Sequence, residues 1–173
     1  MGKRFWIVLL VVVGFMGFLW LSGGKDAAEL DAISNNAAPI THITGKQDAA
    51  VKVVEYSDFQ CPACGAYYPV VEQIIEKYKD RISFEYRHYP LTTIHRNAFA
   101  AARASEAAGK QGKFWEMYRL LFANQSAWSE SGNSQTTFEG YAKQLNLNMG
   151  QYKTDFASSE TNGAINASIR EFN

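Results

Sequence analysis

Val51-Lys-Val-Val-Glu-Tyr-Ser-Asp-Phe-Gln-Cys61-Pro-Ala-Cys64 runs without a break into Gly65-Ala-Tyr-Tyr-Pro-Val-Val-Glu-Gln-Ile-Ile-Glu-Lys-Tyr78. The first part is β-branched and reads as a strand. The second places Tyr67, Val70, Val71, Ile74, Ile75 and Tyr78 at the three-and-four spacing of one buried helical face. Between them sits C-x-x-C, so the spacing predicts a strand, a tight turn and a helix that opens on the cysteine pair.

That position has chemical consequences. Unpaired backbone N–H groups and the helix dipole favour negative charge at a helix N-terminus, so Cys61 is expected to react as a thiolate, the nucleophile of disulfide exchange. Pro62 suits the first helical turn, where a missing N–H costs nothing, and with Ala63 it holds the pair in a rigid turn without adding charge. Cys64, a turn further in, is placed to close on Cys61 or to release it from a mixed disulfide.

Two other uses of the pair fit less well. A structural disulfide gains most from a long closed loop, and the chain-entropy model gives this ring only about 2 kcal/mol. A zinc site needs four ligands; the chain has no third cysteine, and His42, His88 and His95 lack finger spacing relative to the pair. No metal and no bound cofactor are therefore expected, and His42 and His88 receive no role.

Around this stretch the 173 residues have ordinary globular composition, 47% hydrophobic and 14% aromatic. Basic and acidic side chains balance at 17 each, which offers no field for nucleic acid. At the N-terminus, Lys3-Arg4 precede an uncharged apolar run from Phe5 to Leu21. Such a run is short for a membrane span and long for a signal-peptide core. Residues 1–22 are read as an uncleaved single-pass anchor, with a cleaved signal peptide as the alternative. Positive residues ahead of the run keep the N-terminus cytoplasmic and place the body outside, on the oxidising side. Residues 23–39 read as a linker and residues 40–173 as the folded domain.

Within that domain Ile40–Ile43 is a short strand candidate and Ile82–Tyr89 alternates as a strand, making a right-handed parallel βαβ unit with the opening stretch. Pro69 is expected to kink the helix that carries the cysteines. Glu55 interrupts an apolar run that suggests cover on both faces of its strand. A carboxylate there is either buried beneath the thiols, which would raise its pKa and let it exchange protons near neutrality, or turned toward a rim as a solvated or ion-paired glutamate. From about residue 92 the period is helical: Asn97 to Ala108, a stripe of Phe114, Tyr118, Leu121 and Phe122, and a helix opened by the capping box Thr136-Thr-Phe-Glu139. A further helix starts near Asn148, and Ile165, Ile169 and Phe172 mark the last.

Tyr56-Ser-Asp-Phe-Gln-Cys-Pro-Ala-Cys-Gly-Ala-Tyr-Tyr-Pro, Tyr86-Arg-His-Tyr-Pro-Leu and Asn97-Ala-Phe-Ala-Ala-Ala together resemble the DsbA-type thiol:disulfide oxidoreductases of the thioredoxin-fold superfamily. The resemblance runs from about Ile40 to the last residue. It implies an α/β fold, a thioredoxin-like βαβ core carrying an inserted α-helical subdomain at about 92–173, with Cys61 and Cys64 catalytic and Pro62, Ala63 and Glu55 in support. In that family an acidic residue at the offset of Glu55 aids proton transfer at the resolving thiol. The implied substrates are cysteine-containing exported polypeptides, and a membrane quinone-linked thiol oxidase would regenerate the disulfide. Reduction or isomerisation by the same fold is one alternative, and a non-catalytic binding or holdase remnant is another. The family's C-terminal cis-proline loop, further strands and helix have no counterpart in these residues, whose last proline is Pro90, so a C-terminally truncated domain is expected. One side of its sheet should then keep unpaired backbone and uncovered apolar surface.

Overall fold

A computed structural model describes residues 36–172 together with Met16 and Ala32. The expected anchor and most of the linker lie outside the described residues. Among the described residues no helix is long and apolar enough to cross a membrane.

Three strands form one sheet in the order β1-β3-β2. The strands β2 (Val51–Ser57) and β3 (Ile82–His88) are parallel, Val51 opposite Ile82 and Ser57 opposite His88, and are joined by helix α1 (Pro62–Tyr78). The predicted strand–helix–strand unit is therefore present. Strand β1 (His42–Gly45) adds antiparallel to the other side of β3, pairing His42 with Tyr86. Its end is fixed by Gly45, which has φ +81° and whose missing Cβ leaves room for the carbonyl of Ile82.

Central β3 is almost wholly buried, but β2 is an edge among the described residues, with Val51 57% and Val54 46% exposed. The expected cover on both faces of β2 is thus corrected: Val53, Glu55 and Ser57 turn inward, while Val51 and Val54 meet solvent. The apolar stripe of α1 needs a similar correction. Ile75, Val71, Tyr78, Tyr68 and Cys64 face the interior, whereas Tyr67, Val70 and Ile74 are exposed. A three-stranded sheet covers one flank of the helix, and the neighbouring flank is uncovered among the described residues. The helix runs unbroken through Pro69.

Six helices follow: α2 (Ala98–Gly109), α3 (Phe114–Ala123), α4 (Gln125–Trp128), α5 (Ser134–Gln144), α6 (Met149–Ala157) and α7 (Ser159–Phe172). Ala101, Ala104, Ala107 and Ala108 are fully buried, and these small side chains let α2 sit at the centre of the helical layer, between α3 and α6. Helix α5 begins two residues before Thr136, with Asn133 ahead of it and no side-chain capping bond, so the expected capping box does not form. Asn148 does cap α6, its side chain accepting from Gln151 N at 3.1 Å.

The main core is aromatic and centres on Phe59. Its ring lies 5.1 Å from Tyr86 on β3, 5.0 Å from Phe122 and 5.8 Å from Tyr118 on α3. Burying a phenylalanine is worth about 1.5–3 kcal/mol, and here that burial anchors the residue two places before Cys61 to both layers. At the far end, Phe172 of α7 rests on Tyr56 and Tyr89, and Glu171 pairs with Arg87 at 3.0 Å.

Candidate active site

Cys61 is the residue before α1, in extended conformation (φ −63°, ψ 122°), and Pro62 is the first helical residue. Both cysteines are half-buried free thiols, and Pro62 and Ala63 are exposed beside them. The Cys61 side chain takes no capping hydrogen bond. The N–H groups of the first turn beyond Pro62 consequently remain available to a sulfur anion at this end of the helix. The sequence reading of the pair's location is thus met in the fold.

The loop that presents Cys61 is held by side chains that spacing alone did not flag. Buried Asp58 accepts from Gln60 N (2.7 Å) through Oδ1, and from Leu91 N (2.9 Å) and His95 Nδ1 (2.7 Å) through Oδ2. Gln60 Oε1 accepts from Asn97 N at 2.7 Å, and Asn97 Nδ2 donates to the carbonyls of Trp128, Ser129 and Ser131. Gln125 Nε2 donates to the carbonyls of Phe59 (2.7 Å) and Cys61 (2.9 Å). That clamp needs Gly65: a Cβ there would stand 2.4 Å from Gln125 Oε1.

Behind the exposed pair, the Cys64 thiol is pushed up by burial. The nearby Ser57 hydroxyl and Asp58 backbone draw it partly back, and neighbouring Cys61 pushes it up again. Glu55 lies inward on β2, two residues before Ser57. Burial raises its carboxyl above the usual range, and the hydroxyls of Ser57 and Tyr118 facing it lower it in part. Neither hydroxyl closes a bond of good geometry: Glu55 Oε2, Ser57 Oγ and Tyr118 Oη are all buried without a partner. Ser57 therefore stands between a thiol and a carboxyl that both favour their protonated forms. The expectation for Glu55 of burial and an upward shift holds. Ser57 was missed, although its two-residue offset places it on the same strand face as Glu55.

The histidines are drawn apart. His95 supports Asp58, while His42 and His88 converge on Glu106 of α2, each with Nε2 at 2.8 Å from the same oxygen, Oε1. Burial alone would raise Glu106, but the bonds and charge from His42 and His88 bring it down to about 2. Nothing in the sequence linked these three residues, which come from β1, β3 and α2.

Comparison with known proteins agrees with this architecture. Residues 37–173 match the family Thioredoxin_4, described as Thioredoxin. The chain is 40% identical over 124 residues to Na(+)/H(+) antiporter NhaA 1 of Salinispora arenicola, covering 72% of this chain and only 18% of that protein. It is 30% identical to the probable disulfide bond formation protein D of Bacillus cereus, covering 92% of this chain and 74% of that one. Among solved structures, Wolbachia pipientis α-DsbA1 superposes with TM-score 0.67 at 21% identity, over 80% of this chain and 71% of the other. A strand-to-helix turn carrying the dithiol, a helical layer packed on the βαβ unit and these matches lead to one assignment: the chain belongs to the thioredoxin family.

Proposed function

We propose that the protein oxidises cysteine thiols of exported polypeptides on the outer side of a membrane to which residues 1–22 anchor it. The observation that carries this reading is the asymmetry of the pair. Cys61 is uncapped at the open end of α1, while Cys64 is held inward against Ser57 with its thiol form favoured.

In the oxidised form a substrate thiolate attacks Sγ of Cys61, the Cys61–Cys64 bond breaks, and Cys64 leaves as a thiolate. Cys64 takes a proton from the Glu55 carboxyl by way of the Ser57 hydroxyl. A second substrate thiolate then attacks the substrate sulfur of the mixed disulfide and expels Cys61 as a thiolate at the N-terminal end of α1. The substrate loses two electrons and gains a disulfide; the pair gains those electrons as a dithiol. Pro62 and Ala63 border the point of attack and supply no competing charge. A quinone-linked thiol oxidase in the membrane would return the pair to the disulfide, with Glu55 then accepting the Cys64 proton.

Redox titration against glutathione tests the direction. A potential well above the roughly −270 mV of thioredoxin supports the oxidase, and a value at or below it favours a reductase. The exposed Val51 and Val54 on edge strand β2 favour a second reading, a non-catalytic binding module. Refolding of a reduced, disulfide-requiring substrate separates the two, because equal yields with wild type and Cys61→Ser would support the module.

A further inference from the structure

We propose that His42, His88 and Glu106 form a site for a divalent transition-metal ion of the zinc class, where β1, β3 and α2 meet away from the dithiol. The three side chains offer ligand atoms within 4.8 Å of one another. Two imidazoles and one carboxylate are the donor set that suits zinc and its neighbours rather than calcium or magnesium.

The hydrogen bonding leaves room for an ion. Glu106 is 1% exposed, and its ion-pair partners are the two histidines. As a carboxylate it only accepts, so both rings point an Nε2 donor at Oε1, and both donors are spent on that one atom. Glu106 Oε2 and His88 Nδ1 are buried with no partner. A buried anionic oxygen without a donor is costly; once each ring gives up its Nε2 proton, the two Nε2 lone pairs and the carboxylate can hold a cation that satisfies Oε2. Tetrahedral zinc with ligands at about 2.1 Å needs its donor atoms roughly 3.4 Å apart. Widening the 2.8 Å contacts to that separation takes about half an ångström.

The surroundings fix the ligands and leave an entry. The His42 ring stacks on Phe114 with centroids 3.5 Å apart and 5° between planes. Gly109 makes space for it, since a Cβ there would sit 3.0 Å from His42 Cε1. On the outer side of His42 a cavity of about 340 Å³, lined by Thr41, Gln47, Gly112 and Trp115 among others, opens the ring to solvent.

The test is calorimetric titration of the full chain with Zn²⁺ after alkylation of Cys61 and Cys64, so that the thiols cannot compete. One ion per chain is expected, with a saturable rise in Tm. Loss of outer-shell partners typically weakens metal binding by about 10- to 100-fold, so removing a ligand should cost at least about 100-fold. Both Glu106→Gln and His42→Ala should show that loss. His42 is the more exposed ligand, so His42→Ala reads the site even if Glu106→Gln fails to fold. Absence of Zn²⁺ binding by the alkylated protein, or unchanged affinity in His42→Ala, would overturn the proposal.

Discussion

Replacing Glu55 by Gln should make the protein more stable and a poorer catalyst. The folded state raises the Glu55 carboxyl through burial, so the fold prefers its neutral form. Stability associated with that group is fully present below the ordinary carboxylate pKa and is lost as pH rises through the raised value. The glutamine is neutral throughout and so escapes the cost of ionising a carboxyl in this buried position. A buried polar group left unsatisfied costs about 1–3 kcal/mol, and half-buried Glu55 should lie near the lower end. Glu55→Gln should therefore gain about 1 kcal/mol at pH 7.5, a rise of about 4 °C in Tm for a domain of this size, with the difference vanishing near pH 4. The same change removes the proton acceptor behind Ser57. Displacement of glutathione from Cys61 by Cys64, followed by stopped flow, should slow about 100-fold, the low end for general acid–base catalysis. Urea unfolding between pH 4 and pH 8 in the dithiol state supplies the first measurement. A variant less stable than wild type at pH 7.5, or a stability difference independent of pH, would refute the reasoning.

Asn97→Ala removes the amide that satisfies three carbonyls of the 128–131 segment and, through its neighbours, secures Gln60. It should lower stability by about 2–3 kcal/mol in urea unfolding, and an effect under about 0.5 kcal/mol would mean that water replaces the amide at little cost. Gly65→Ala pushes the flexible end of Gln125 away from the Cys61 carbonyl, so thermal stability should fall by no more than about 1 kcal/mol while Cys61 alkylation kinetics change. Gln125→Ala alone should reproduce that kinetic change, and adding Gly65→Ala to it should have little further effect; additive changes would argue against the clamp.

What was legible in the sequence was local. The strand, the turn and the helix that carry the cysteines follow from the change of period around Cys61, and the aromatic stripe of α3 from its own spacing. The flank of α1 bearing Tyr67, Val70 and Ile74 read as core because helical periodicity identifies apolar residues without saying how many neighbours arrive to cover them. The cradle of Asp58, Gln60, Asn97 and Gln125 was hidden for another reason. Its contacts join residues up to 69 positions apart, and single polar residues have no period to betray them. The same holds for Glu106, which lies in an alanine-rich helix and meets His42 and His88 only once β1 and β3 have paired.

The central claim is that Cys61, and not Cys64, forms the bond to substrate. Unfolded substrate carrying one cysteine as a mixed disulfide with thionitrobenzoate can be mixed with Cys64→Ser and Cys61→Ser proteins, the attacking thiolate expelling thionitrobenzoate, and the products separated without reductant. Cys64→Ser should accumulate a stable mixed disulfide through Cys61, while Cys61→Ser accumulates little, because its remaining sulfur is half-buried against Ser57. Equal trapping by the two variants, or trapping by Cys61→Ser alone, would contradict the account.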